Sequence, residues 1–157
     1  MTMLQSVVRR RRAVAAAGAV SAGLLVLSAC DKPTPITTLT VGTDTVHAQA
    51  VCYNDGKELK TAGLTKCLKA NTTLSVDPDK TVRIGVDPEI ADNGWTILMN
   101  GRPLVDTIKK TYTTIPGSVF FTEAYGATGN STIVSIREGD DKGVTGIWTF
   151  KLTKKDS

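Results

Sequence analysis

From residue 36 onward, apolar side chains recur at every second position in short runs separated by turn residues. Side chains alternate across a strand, so this period of two predicts strands with one face buried. Leu39 and Val41 mark a first strand. Val46, Ala48, Ala50 and Cys52 share one face of a second, with His47, Gln49, Val51 and Tyr53 on the other, which turns Cys52 inward. The alternation stops over residues 54–69, where Asn54-Asp55-Gly56 opens a break and Leu64, Cys67 and Leu68 fall at helical spacing. A short helix or turn is expected there. Val82, Ile84 and Val86 form the next strand, then Trp95 to Met99. That run ends at Asn100-Gly101, a strong two-residue hairpin signal because both residue types accept positive φ. Residues 102–105 should return along it. Further strands are expected over residues 107–113, 119–124 and 132–138. After the turn-rich Gly139 to Gly143, a last strand over 144–152 puts Trp148, Phe150 and Leu152 on one face and Ile147, Thr149 and Lys151 on the other.

About seven short strands with turns every 8–12 residues predict an all-β sandwich, with a small closed β-barrel as the alternative. Trp95 followed by alternating apolar residues resembles the core-tryptophan strand of immunoglobulin-like domains. Cys52 and Cys67 lie too close in sequence to form that family's inter-sheet bridge, so the resemblance extends to the architecture only.

Residues 1–29 have a different character. Arg9 to Arg12 are followed by 17 uncharged residues, Ala13 to Ala29, rich in Ala, Val, Leu and Gly. A comfortable transmembrane helix needs about 20 apolar residues. A basic start, a short apolar stretch and small residues at its end describe a secretory signal. Its ending, Leu27-Ser28-Ala29-Cys30, resembles the lipobox of bacterial lipoprotein precursors. The resemblance implies cleavage before Cys30 and acylation of that cysteine. Two or three acyl chains, at about 0.8 kcal/mol per buried methylene, anchor a protein durably. The arginines suit either general secretory or twin-arginine export; the Phe-Leu-Lys continuation of the twin-arginine pattern is absent, which favours the general route. Residues 30–35 then read as a lipidated tether with prolines at 33 and 35, and residues 36–157 as the sandwich domain.

The signal also changes the charge argument. The chain carries a net charge of +4, and Arg9 to Arg12 account for all of it. From Cys30 onward the 15 basic and 15 acidic residues balance. No electrostatic case for nucleic acid survives. With Cys30 assigned to lipid, Cys52 and Cys67 remain as an even pair, and outside the cytoplasm a disulfide between them is the expected state.

Candidate chemistry is sparse. His47 is the only histidine; a hydrolase would have to use it with a nearby carboxylate, and no Gly-x-Ser-x-Gly elbow is present. Phosphate-binding glycine loops and zinc-ligand spacings are also missing. Asp77, Asp79, Asp87, Glu89 and Asp92 suggest calcium by composition. Their Asp-Pro contexts are better read as turns around the Val82–Val86 strand. No catalytic residue, metal site or cofactor is expected.

Half of the eight aromatic residues, Tyr112, Phe120, Phe121 and Tyr125, fall within fourteen positions. In a strand, adjacent Phe120 and Phe121 face opposite ways, so one would remain outside the core. These four are the candidate binding residues, for an envelope protein or an apolar ligand. The signal, the Leu-Ser-Ala-Cys ending and the segments HAQAVCYNDGKEL and VRIGVDPEIADNGWTILMNGRPL resemble small lipoproteins of actinobacteria, Streptomyces in particular. That resemblance implies an envelope lipoprotein on the extracytoplasmic face of the cell membrane, and it carries no activity and no site residues. The expected role is non-catalytic binding; the alternatives are a carrier of lipid or another apolar small molecule, and a hydrolase using His47.

Overall fold

The computed structural model describes residues 32–60, 62–140 and 143–156. The segment expected to be a signal peptide, residues 1–29, and Cys30 lie outside the described residues. From Thr34 onward the chain forms one unit, an all-β sandwich of two open sheets. Strands β1 (Ile36–Val41), β2 (Asp44–Gln49), β5 (Thr81–Val86) and β8 (Tyr112–Pro116) make the first sheet, in the order β2-β1-β5-β8. The second sheet has the order β3-β10-β9-β6-β7, built from β3 (Cys52–Tyr53), β10 (Gly143–Lys154), β9 (Ser131–Asp140), β6 (Trp95–Met99) and β7 (Arg102–Pro103). Strand β4 (Thr72–Val76) pairs in parallel with β10, beyond the stretch of that edge held by β3. The described strands number ten, more than the seven expected, and the parallel pair departs from the all-antiparallel sheets of an immunoglobulin domain.

Alternation places the core. Leu39 and Val41 of β1, Val82, Ile84 and Val86 of β5, Trp95, Ile97 and Met99 of β6, Val134 and Ile136 of β9, and Trp148, Phe150 and Leu152 of β10 all bury between the sheets. The Asn100-Gly101 turn forms as expected. Asn100 sits at φ 50° and Gly101 at φ 82°, and Met99 faces Arg102 across the hairpin.

Four expectations are corrected. The run 46–53 is not one strand: β2 ends at Gln49, and the chain crosses to the second sheet, where the Val51 amide donates to the Ile147 carbonyl at 2.8 Å. This crossing reverses the facing, so Tyr53 packs against the core and Cys52 sits opposite Ile147, a residue of the outer face. Residues 107–111 are not in a strand: Ile108 bridges Trp95, Lys109 to Thr111 carry the chain between sheets, and β8 starts only at Tyr112. Residues 119–124 form 3-10 turns, Gly117–Phe121 and Glu123–Tyr125, because Pro116 ends β8 and the chain turns over the end of the sandwich. Finally, the Asp87-Pro88-Glu89 segment opens a short helix, α1 (Pro88–Asn93), with proline in the first turn, where its missing N–H leaves no bond unmade.

The disulfide forms, with Cys52 and Cys67 Cα atoms 5.5 Å apart. It pins the 3-10 turn Leu64–Leu68 to β3 over the outer face of the second sheet. There Thr149 donates its hydroxyl to the Cys67 carbonyl at 2.8 Å and pairs with the Ser135 hydroxyl at 3.0 Å, so both buried hydroxyls are satisfied.

Candidate functional site

The sandwich has two distinct ends. One holds Pro35 at the start of β1, helix α1, the 109–111 crossover and the last residues of β9. The other holds the 3-10 turns, the Asn100-Gly101 hairpin and the first residues of β9. The four candidate aromatics divide between these ends and the core. Phe120 is fully buried and Phe121 half-buried against the core. Tyr112 is 66% exposed beside Gly85 at the Pro35 end, whereas Tyr125 is 49% exposed at the far end. They do not form one surface. Three residues per 3-10 turn send successive side chains about 120° apart, so Phe120 enters the core while Phe121 lies along its rim.

At the far end Tyr125 and Ala124 face Met99, Arg102, Pro103 and Leu104 across a groove of about 100 Å³. Drug-sized ligands occupy roughly 300–1,000 Å³; this groove matches a single inserted side chain. Met99, Pro103, Leu104 and Ala124 contribute apolar side chains to its lining, and Arg102 and Tyr125 contribute polar ones. Asn100 holds it in place. The Asn100 amide nitrogen donates to the Gly126 carbonyl at 2.7 Å and to the Thr132 hydroxyl at 3.1 Å, while its Oδ1 accepts from the Ile133 amide at 3.1 Å. One side chain thus closes the hairpin and clamps the loop that carries Tyr125. The sequence pattern marked Asn100-Gly101 as a turn; that this turn would meet the 124–126 loop, 26 residues away, had no sequence signal.

The Pro35 end contains a buried polar cluster. Glu138 follows Val134 and Ile136 on the inward face of β9 and is fully buried. Its Oε1 accepts from Asn93 Nδ2 at 2.8 Å, while its Oε2 has no hydrogen-bond partner among the described residues. Tyr53 donates its hydroxyl to Glu89 Oε1 at 3.2 Å, and its ring lies 6.1 Å from that of Trp148. Burial, the bond to Glu89 and the negative charges of Glu89, Glu138 and Asp55 push the Tyr53 phenol up to about 12. A phenol held protonated this firmly is a hydrogen-bond donor at neutral pH and not a base. Gly146 lies beneath the cluster, where a Cβ would stand 2.5 Å from the Trp148 ring and 2.9 Å from Glu138 Oε2. Only a residue without a side chain fits there. The inward spacing of 134, 136 and 138 was visible in the sequence, but the strand end gave no reason to expect full burial of the glutamate.

His47 is exposed on β2, its Nδ1 paired at 2.9 Å with the hydroxyl of Thr38 across the strand pair. Asp77 acts in a turn: its Oδ1 accepts the Asp79 amide at 3.0 Å. Among the described residues, no group of three or more His, Cys, Asp or Glu side chains is placed to hold a metal ion. Comparison with protein-family models, with curated proteins and with solved structures finds no match.

Proposed function

We propose that the chain is an extracytoplasmic lipoprotein, anchored through lipid on Cys30, whose sandwich is a non-catalytic module that binds an envelope protein through the groove beside Tyr125. One observation carries the binding half: a half-exposed tyrosine on a loop pinned by Asn100 lines a groove with Arg102, Met99, Pro103 and Leu104. Tyr and Arg are over-represented among the residues that dominate protein–protein affinity, and a preformed site loses little entropy on binding. Position supports the same reading. The groove lies at the end away from Pro35, roughly 20 Å along β9 from the level of Glu138 at about 3.4 Å per residue. A tether ending at Pro35 would therefore present the groove outward. Two open sheets filled by Trp95, Trp148, Phe120 and Phe150 weigh against a carrier with an internal void. An exposed His47 bonded to a threonine gives a hydrolase no support.

The test has two parts, both on full-length protein in its native membrane. Cys30→Ser should release the protein from the membrane fraction. A photo-crosslinker at Ala124, exposed on the groove beside Tyr125, should capture one defined envelope protein, and Arg102→Glu should abolish that capture while the fold survives. Membrane retention of the Cys30→Ser variant would sink the anchor; a crosslinking pattern indifferent to Arg102→Glu would sink the groove.

A further inference from the structure

We infer that the turn Lys109-Lys110-Thr111-Tyr112, at the end of the sandwich where the tether emerges, rests on the anionic headgroups of the membrane that holds the lipid anchor. The inference builds on the anchoring proposed above. Pro35 lies five positions after Cys30, and five residue steps span at most about 18 Å when fully extended. Pro35 is itself fixed: it is buried, and its carbonyl accepts the Trp148 indole N–H at 2.9 Å. The end of the domain containing Pro35 therefore cannot move far from the bilayer.

All four residues of the turn are exposed. Val86 pairs with Thr37 on β1, and its amide donates to the Thr111 carbonyl at 2.8 Å, which sets the turn beside the first strand. The Trp95 indole N–H donates to the Lys110 carbonyl, also at 2.8 Å, so the backbone is held while the side chains project. Two lysines and an exposed tyrosine suit a headgroup surface: ammonium groups pair with phosphates, and tyrosine favours the membrane–water boundary. Acidic groups share this end. Asp87 Oδ2 accepts the Ile36 amide at 2.9 Å and Glu89 accepts the Tyr53 hydroxyl. Asp106 precedes the turn beside the second sheet, and Asp92 lies on α1.

Both native tryptophans, Trp95 and Trp148, are fully buried, so their emission is a background measured on the wild type and subtracted from that of a tryptophan placed on the surface. Lipidated full-length protein carrying Tyr112→Trp would be reconstituted in vesicles of phosphatidylcholine and phosphatidylglycerol with bromine on the acyl chains near the headgroups. Strong quenching of Tyr112→Trp, with Tyr125→Trp left bright, is the expected result. Adding Lys109→Ala and Lys110→Ala should lower the ratio of surface-bound to free orientation about 25-fold, at about fivefold per lysine. Protein that sediments with the vesicles but quenches equally at 112 and 125 overturns this contact and leaves the anchor standing. Protein that does not sediment with them overturns the anchor and the contact together.

Discussion

Trp148 Nε1 donates to the Pro35 carbonyl at 2.9 Å, joining the last strand to the start of the first across 113 positions of sequence. The bond fixes the point at which the chain enters the domain, and it satisfies a carbonyl that the sandwich has buried. Trp148→Phe keeps most of the ring but leaves that carbonyl without its donor. It should lower unfolding free energy by about 1–3 kcal/mol, measured by urea denaturation. Trp148→Ala, which also empties part of the core, should cost about 3–5 kcal/mol.

The disulfide closes a loop of 15 positions, for which chain entropy predicts about 3 kcal/mol of stabilisation. Replacing Cys52 and Cys67 together by Ala should lose that amount. A reductant should lower the melting temperature of the wild type and leave the double variant unchanged.

Tyr53 makes stability depend on pH in the alkaline range. Its phenol is raised from 10 to about 12 in the folded chain, so between those values the folded state retains a proton that the unfolded state has released. The contribution is complete below pH 10 and is lost as pH rises through about 12. Melting curves of the wild type should therefore fall over that window more steeply than those of Tyr53→Phe.

Phe120 and Tyr125, five positions apart in sequence, should behave in opposite ways. Phe120 is fully buried, and Phe120→Ala should cost about 3–5 kcal/mol through the cavity it leaves. Tyr125 is half-exposed; Tyr125→Ala should change stability by no more than about 0.5 kcal/mol while abolishing partner capture.

The parts legible in the sequence are those ruled by local chemistry. Val82, Ile84 and Val86 alternate because one face of β5 is buried, and Trp148, Phe150 and Leu152 do so for the same reason on β10. Asn100-Gly101 announces its turn through backbone sterics alone. Strand β4 was missed although Leu74 and Val76 alternate, since two apolar positions amid Asn71, Thr72 and Thr73 make a faint signal.

The strand-rich class, the core-facing residues of the long strands and the pairing of Cys52 with Cys67 are legible along the chain. Each follows from period, composition or the count of available thiols. Tertiary structure alone decided that the chain leaves the first sheet after Gln49, that Cys52 faces outward, that Phe120 is core and Tyr125 surface, and that Glu138 is sealed inside. A period of two survives a change of sheet, so alternation along 46–53 reads the same whether its two halves share a sheet or not. Which face is inward depends on what packs there, and at Ala50, Phe120 and Glu138 the neighbours that decide it come from distant segments of the chain.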